Sequence, residues 1–131
     1  MEDNLFTGRR VLVIEDEMLI LMMIEDMLAD IGCESVTSAA TIDQAIALID
    51  VQVFDAAMLD MNLNGKNSRV VADALAARGV PFVFSTGNSV QDVWDGYNGH
   101  AVLRKPFSNG ELVAMLTCLL SSNGVAIPGN S

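Results

Sequence analysis

Five side chains in this sequence could together handle a phosphoryl group: Glu15, Asp16, Asp60, Thr86 and Lys105. Each comes at or just after the end of a short apolar run. Val11 to Ile14 leads into Glu15-Asp16, Val53 to Leu59 into Asp60, Val80 to Phe84 into Ser85-Thr86, and Ala101 to Leu103 into Arg104-Lys105. Three carboxylates brought close together repel, so such an arrangement favours a divalent cation with hard oxygen ligands, and magnesium is the usual choice where phosphate is handled. Asp60 is suited to be the nucleophile, because a carboxylate needs no separate base to attack phosphorus and can form an acyl phosphate. Lys105 would supply a mobile point charge for the phosphoryl oxygens, and Thr86 a hydroxyl that can turn towards them.

The elements that must carry these residues follow from periodicity. Arg10 to Ile14 is β-branched and apolar without alternation, which suits a strand buried on both faces of a parallel sheet. From Asp16 the spacing turns helical, with Ile20, Ile24, Met27, Leu28 and Ile31 on one face and Gly32 as the stop. The same grammar recurs. Glu34 to Thr37 is a weak strand, and a helix from Thr41 to Ile49 is capped by Thr41 or Ser38. Val53 to Leu59 is a third strand, Asn62 to Asn67 a loop, and Val70 to Ala77 a helix ending at Gly79. Val80 to Phe84 is a fourth strand, and the helix that follows, Val90 to Tyr97, is the poorest in the chain. Ala101 to Arg104 is a fifth strand. In the last helix Ser108 and Glu111 have capping-box spacing, and Leu112, Met115, Leu116, Leu119 and Leu120 face inward.

Five strands alternating with five helices predict an α/β fold, a doubly wound parallel sheet of the flavodoxin-like kind, whose crevice lies beyond the carboxyl ends of the strands. The 131 residues make one domain's worth of chain, read as 1–121 with a loose tail at 122–131. Seventeen acidic against seven basic residues give a net charge of -10, which argues against nucleic-acid binding through neutralised phosphates. Cys33 and Cys118 match no zinc or redox spacing and read as small buried hydrophobes in a reduced compartment. The N-terminus lacks a signal-peptide pattern, and the longest apolar run, Met18 to Ile24, is far short of the roughly 20 residues that span a bilayer. A cytoplasmic location away from membranes is the expectation.

The motifs Val-Leu-Val-Ile-Glu-Asp-Glu at 11–17, Met-Leu-Asp-Met-Asn-Leu at 58–63, Phe-Ser-Thr-Gly at 84–87 and Arg-Lys-Pro-Phe at 104–107 resemble those of the receiver domains of two-component response regulators, in the stand-alone, chemotaxis-regulator-like form. The resemblance covers nearly the whole chain. It implies the strand order 2-1-3-4-5, and a phosphorelay in which Asp60 takes a phosphoryl group from a phosphohistidine on a histidine kinase or phosphotransfer protein. It also implies magnesium held by Glu15, Asp16, Asp60 and the backbone carbonyl of Asn62, and a cis bond from Lys105 to Pro106. The domain would then signal by protein contact, as a monomer or weak dimer, and would catalyse only its own phosphorylation and dephosphorylation.

Three positions depart from the family's pattern. Glu15 stands where aspartate is commoner, Asn64 where proline often stiffens the loop after the acceptor, and Val102 where an aromatic switch residue is usual. A less rigid loop and a partial relay to the surface follow as expectations, with the helix at Val90–Tyr97 as the mobile element. A pseudo-receiver that signals without phosphorylation is one alternative. A phosphatase with an aspartyl nucleophile would need an acid two residues after Asp60, where Asn62 stands, and a flavodoxin-like cofactor binder would meet repulsion from Glu15-Asp16-Glu17. His100 matches no catalytic position. Met18, Leu19 and Met22 exceed what core packing asks of the first helix, and they either cover strand-end loops or form a docking surface for a histidine-bearing helical partner.

Overall fold

The computed structural model describes residues 6–87, 94, 96, 97 and 100–121. Its centre is a five-stranded parallel sheet built from β1 (Arg10–Ile14), β2 (Ser35–Ala39), β3 (Ala56–Asp60), β6 (Phe82–Thr86) and β7 (Val102–Arg104), in the order β2-β1-β3-β6-β7. Counting only sheet strands, this is the 2-1-3-4-5 winding. The order reverses between β1 and β3, so the crevice at their carboxyl ends is flanked by the turns that follow both strands.

Strand composition dictates this placement. β3 and β6 are buried at every residue, as strands covered on both faces must be, whereas β2 and β7 lie at the edges and are partly exposed. Alternate side chains along each strand serve two separate cores. Leu12, Ile14, Ala57, Leu59, Phe82 and Phe84 point to one, and Val11, Val13, Ala56, Met58 and Val83 to the other. Helices α2 (Ile42–Val51) and α3 (Arg69–Ala77) close the first face; α1 (Met18–Asp30) and α4 (Asn109–Ser121) close the second. Each strand therefore delivers its last residue to one rim.

Local signals set the helix ends. Thr41, not Ser38, caps α2, accepting from Gln44 N at 3.1 Å. Ser108 and Glu111 exchange the two bonds of a capping box, 2.9 and 3.1 Å long, at the start of α4. After α1 the chain turns at Gly32, whose φ of 91° a side chain would resist.

Four helices occur among the described residues. The weak helix expected over Val90–Tyr97 falls largely outside them, as does the tail at 122–131. No helix among the described residues is long and apolar enough to cross a membrane.

The segment read from sequence as a loop, Asn62 to Asn67, is a small antiparallel hairpin of β4 (Asn62–Leu63) and β5 (Lys66–Asn67). Its tip is Asn64-Gly65, with φ of 54° and 81°, the left-handed pair that the tightest hairpins require. Asn-Gly is the strongest short hairpin signal a sequence offers. The reading of this stretch as a loop passed over it because the flanking strands are only two residues long.

Candidate functional site

The site is assembled where four strands end. Glu15 follows β1 directly and is buried, with 1% of its surface exposed, although glutamate is rarely buried without a partner. Asp60 ends β3 and is buried at 5%. Lys105 comes after β7, where its N–H donates to the carbonyl of Thr86 at 2.8 Å, so the ends of β6 and β7 are stitched together. The Lys105–Pro106 bond is cis.

The lysine bridges the two buried acids. Its Nζ stands 2.9 Å from Glu15 Oε1 and 3.0 Å from Asp60 Oδ2. Asp60 Oδ1 accepts from the backbone N–H of Asn62 at 3.1 Å, and Glu15 Oε2 from that of Glu17 at 3.1 Å. Glu15 Oε1 is fully buried and has no aligned hydrogen bond; the lysine holds it by proximity of charge. Burial above all pushes the Glu15 carboxyl up to about 7, with the charge of Asp60 adding to the effect and the Lys105 contact opposing it. Burial alone would lower Lys105, but its contacts with Glu15 and Asp60 prevail and hold it above its ordinary value. Lys105 therefore keeps its proton, and Glu15 gives up its charge more readily than an ordinary glutamate.

Asp16, half-buried, completes an acidic cluster: Glu15, Asp16 and Asp60 each offer an oxygen within 4.8 Å of the others'. The donor set suits a hard divalent cation, being all carboxylate and lying at the rim. The unaligned Glu15 oxygen and its raised protonation point the same way, because one lysine does not match the negative charge gathered there.

The hairpin fastens this cluster from outside. Asn64 N donates to Asp16 Oδ2 at 3.1 Å, and Asn64 Nδ2 to the carbonyl of Ala40 at 3.3 Å. Proline at 64 could neither donate that N–H nor adopt a φ of 54°. The departure from the family's pattern thus gives the loop two tethers where a less rigid loop was expected. Asn62 accepts at Oδ1 from Gly65 N at 3.0 Å, so its side chain serves the turn.

Thr86, buried at 4%, ends β6 one residue beyond Ser85, the register partner of Asp60. Structure therefore gathers Glu15, Asp16, Asp60, Thr86 and Lys105 at one rim, with Asn62 two residues past Asp60. His100 lies elsewhere: its Nε2 is 2.7 Å from the carbonyl of Phe82, and its ring packs on that of Phe82 with centroids 4.3 Å apart. Val102 is half-buried against the same core as Phe84, Trp94 and Tyr97, so the aromatic rings near the end of β6 come from β6 itself and from residues 94–100. One contact was missed in sequence, the buried hydroxyl of Ser68, which donates to the backbone carbonyl of Asp60 at 2.6 Å.

Comparison with known proteins bears on the family and the fold. Residues 11–117 match the response regulator receiver domain family. The solution structure of SdrG from Sphingomonas melonis Fr1 is similar, with 40% identity over 90% of this chain and 99% of that one, and a TM-score of 0.77. Its BeF3-activated conformation gives 39% identity over 92% and 99%, with a TM-score of 0.74. The receiver domain of a sensor histidine kinase from Pseudomonas aeruginosa PAO1, solved with a magnesium ion in its active-site cleft, is 27% identical over 88% and 100%, with a TM-score of 0.75. A transcriptional regulatory protein of Mycobacterium tuberculosis, PdtaR, is 30% identical over 117 residues, 86% of this chain, which spans only 57% of that protein's length.

Proposed function

The chain belongs to the response regulator receiver domain family, and from that premise we propose that it is a phosphoacceptor switch in which Asp60 takes a phosphoryl group from a phosphohistidine donor. Receiver domains work with histidine kinases or phosphotransfer proteins, and the donor here is of that kind. The observation that carries the reading is the ammonium of Lys105 held 3.0 Å from Asp60 Oδ2 and 2.9 Å from Glu15 Oε1 at the strand ends.

In the transfer, a carboxylate oxygen of Asp60 forms a bond to phosphorus as the bond from phosphorus to the donor imidazole nitrogen breaks. The nitrogen keeps the electron pair. Lys105 is already beside the acceptor and needs only to turn its ammonium towards the incoming oxygens, while Thr86 offers its hydroxyl to them. Glu15, Asp16, Asp60 and the carbonyl of Asn62 are the groups that would hold magnesium. When bound, the ion neutralises charge that develops on the phosphoryl oxygens.

The donor's approach is supported by one face of α1. Met18, Leu19, Met22 and Met23 are exposed at 63%, 80%, 52% and 45%, an apolar stripe at helical spacing. It borders a groove formed with Gly87, Pro106 and Phe107, whose wall includes Lys105 itself. A helix bearing a phosphohistidine would bury that stripe while presenting its imidazole to Asp60.

Acetyl phosphate with magnesium, read by intact mass, tests the reading. Wild type should gain one phosphoryl group and Asp60→Asn none. Equal labelling of both proteins, or of neither, would end the proposal.

A further inference from the structure

Ser68 opens α3 at its N-cap position, where a serine hydroxyl ordinarily accepts from a backbone N–H of the first turn. Here it makes no such bond. Its hydroxyl is directed back to the acceptor's own backbone, donating to the carbonyl of Asp60 at 2.6 Å, while its N–H donates to the carbonyl of Met61 at 3.0 Å. The residue is wholly buried, so this choice of partner is not a surface accident.

The geometry of the sheet explains why the bond is needed. Pairing between β1 and β3 ends at Ile14 and Leu59. Asp60 lies one residue beyond that last rung, and a buried carbonyl left there without a donor would be costly. With Ser68 in place, the carbonyls of Asp60 and Met61 are both bound to one residue, and the peptide that follows them carries the carbonyl of Asn62.

We propose that Ser68 is a positioning residue for the phosphoacceptor site: by binding the carbonyls of Asp60 and Met61 from the start of α3, it sets the Asp60 side chain and the Asn62 carbonyl for a divalent cation. The inference rests on the phosphoacceptor reading above. Nothing in the residue types marks Ser68 for this role; only its placement does. The neighbouring Asn67 accepts from Arg69 N at 2.9 Å, satisfying a helix-start donor next to the serine.

Magnesium binding measured by calorimetry on the metal alone, with urea unfolding in chelator as a control, separates the possibilities. Ser68→Ala should unfold cooperatively yet bind magnesium about tenfold more weakly, the usual consequence of removing a group that orients a ligand. Its labelling by acetyl phosphate should fall at limiting magnesium and recover at saturation. Ser68→Thr, which keeps the hydroxyl, should restore most of the affinity. Wild-type magnesium affinity in Ser68→Ala, or equal loss in the alanine and threonine variants, would overturn the inference and leave the acceptor reading intact. Failure of Ser68→Ala to fold cooperatively would assign the serine to folding and overturn it too. A wild-type protein that binds no magnesium and takes no label would overturn both.

Discussion

The backbone N–H of Asn64, at the tip of the β4–β5 hairpin, donates to Asp16 Oδ2 at 3.1 Å, tying the turn after β3 to the turn after β1. Two acids of the cluster thereby share a support. The same hairpin that begins two residues after Asp60 ends by holding Asp16.

Asn64→Pro should consequently damage the site as well as the turn. It removes the N–H and excludes a φ of 54°, at a cost of about 2 kcal/mol in stability. Magnesium affinity should fall with it, whereas Asn64→Gly, which keeps the N–H and tolerates the dihedral, should stay close to wild type. Urea unfolding and magnesium titration of the two variants provide the comparison.

Lys105→Met would leave Glu15 and Asp60 buried without their shared cation. Removing one partner of such a cluster destabilises by about 3 kcal/mol, because the charges that remain are uncompensated. Saturating magnesium should recover more stability in this variant than in wild type, while acetyl phosphate labelling stays slow. Thermal melts with chelator and with magnesium would reveal the difference; an equal gain in both proteins would contradict it.

His100 gives the acid side of the stability curve a defined sign. Burial lowers its pKa below the ordinary 6.5, against the weaker opposing effect of the Phe82 carbonyl, so the unfolded chain binds the proton more readily than the folded one. Its contribution is present above pH 6.5 and is lost as pH falls from there through the folded value. Glu15 acts oppositely: with its folded value raised from 4.5 to about 7, its contribution is full below 4.5 and lost as pH rises through 7. Unfolding in chelator between pH 5 and pH 8 should show a shallower acid decline for His100→Gln than for wild type. For Glu15→Gln, stability relative to wild type should rise on the way up from pH 5 to pH 8.

Met22→Glu places a charge in the exposed stripe of α1. Transfer from a phosphorylated histidine phosphotransfer protein should slow by about tenfold or more, as when a charge enters an apolar contact. Labelling by acetyl phosphate should be unchanged. Equal slowing with both donors would argue against docking on this face.

Much of the architecture was legible in the chain because its signals are local. Apolar β-branched runs ending in acids or in Lys105 gave the strands, and helical spacing with Thr41, Ser108 and Gly32 as punctuation gave the helices and their limits. Strand boundaries moved by one to three residues where edges and centres differ in burial. β3, for instance, begins at Ala56 and not at Val53, which is exposed at 72%. Leu21, buried on α1, was passed over in favour of Ile20 because apolar residues surround that helix and periodicity alone cannot choose among them.

The sequence by itself determined the alternation of strands and helices and the identity of the acidic and basic residues at the strand ends, since a parallel sheet of this pattern delivers each strand's last residue to the same rim. Tertiary structure alone decided how they meet: Lys105 between Glu15 and Asp60, Asn64 on Asp16, and Ser68 turned from its helix to the carbonyl of Asp60. Those bonds join residues 8 to 90 positions apart, and no local preference encodes them. They exist because burial leaves each polar group only the partner that folding brings within reach.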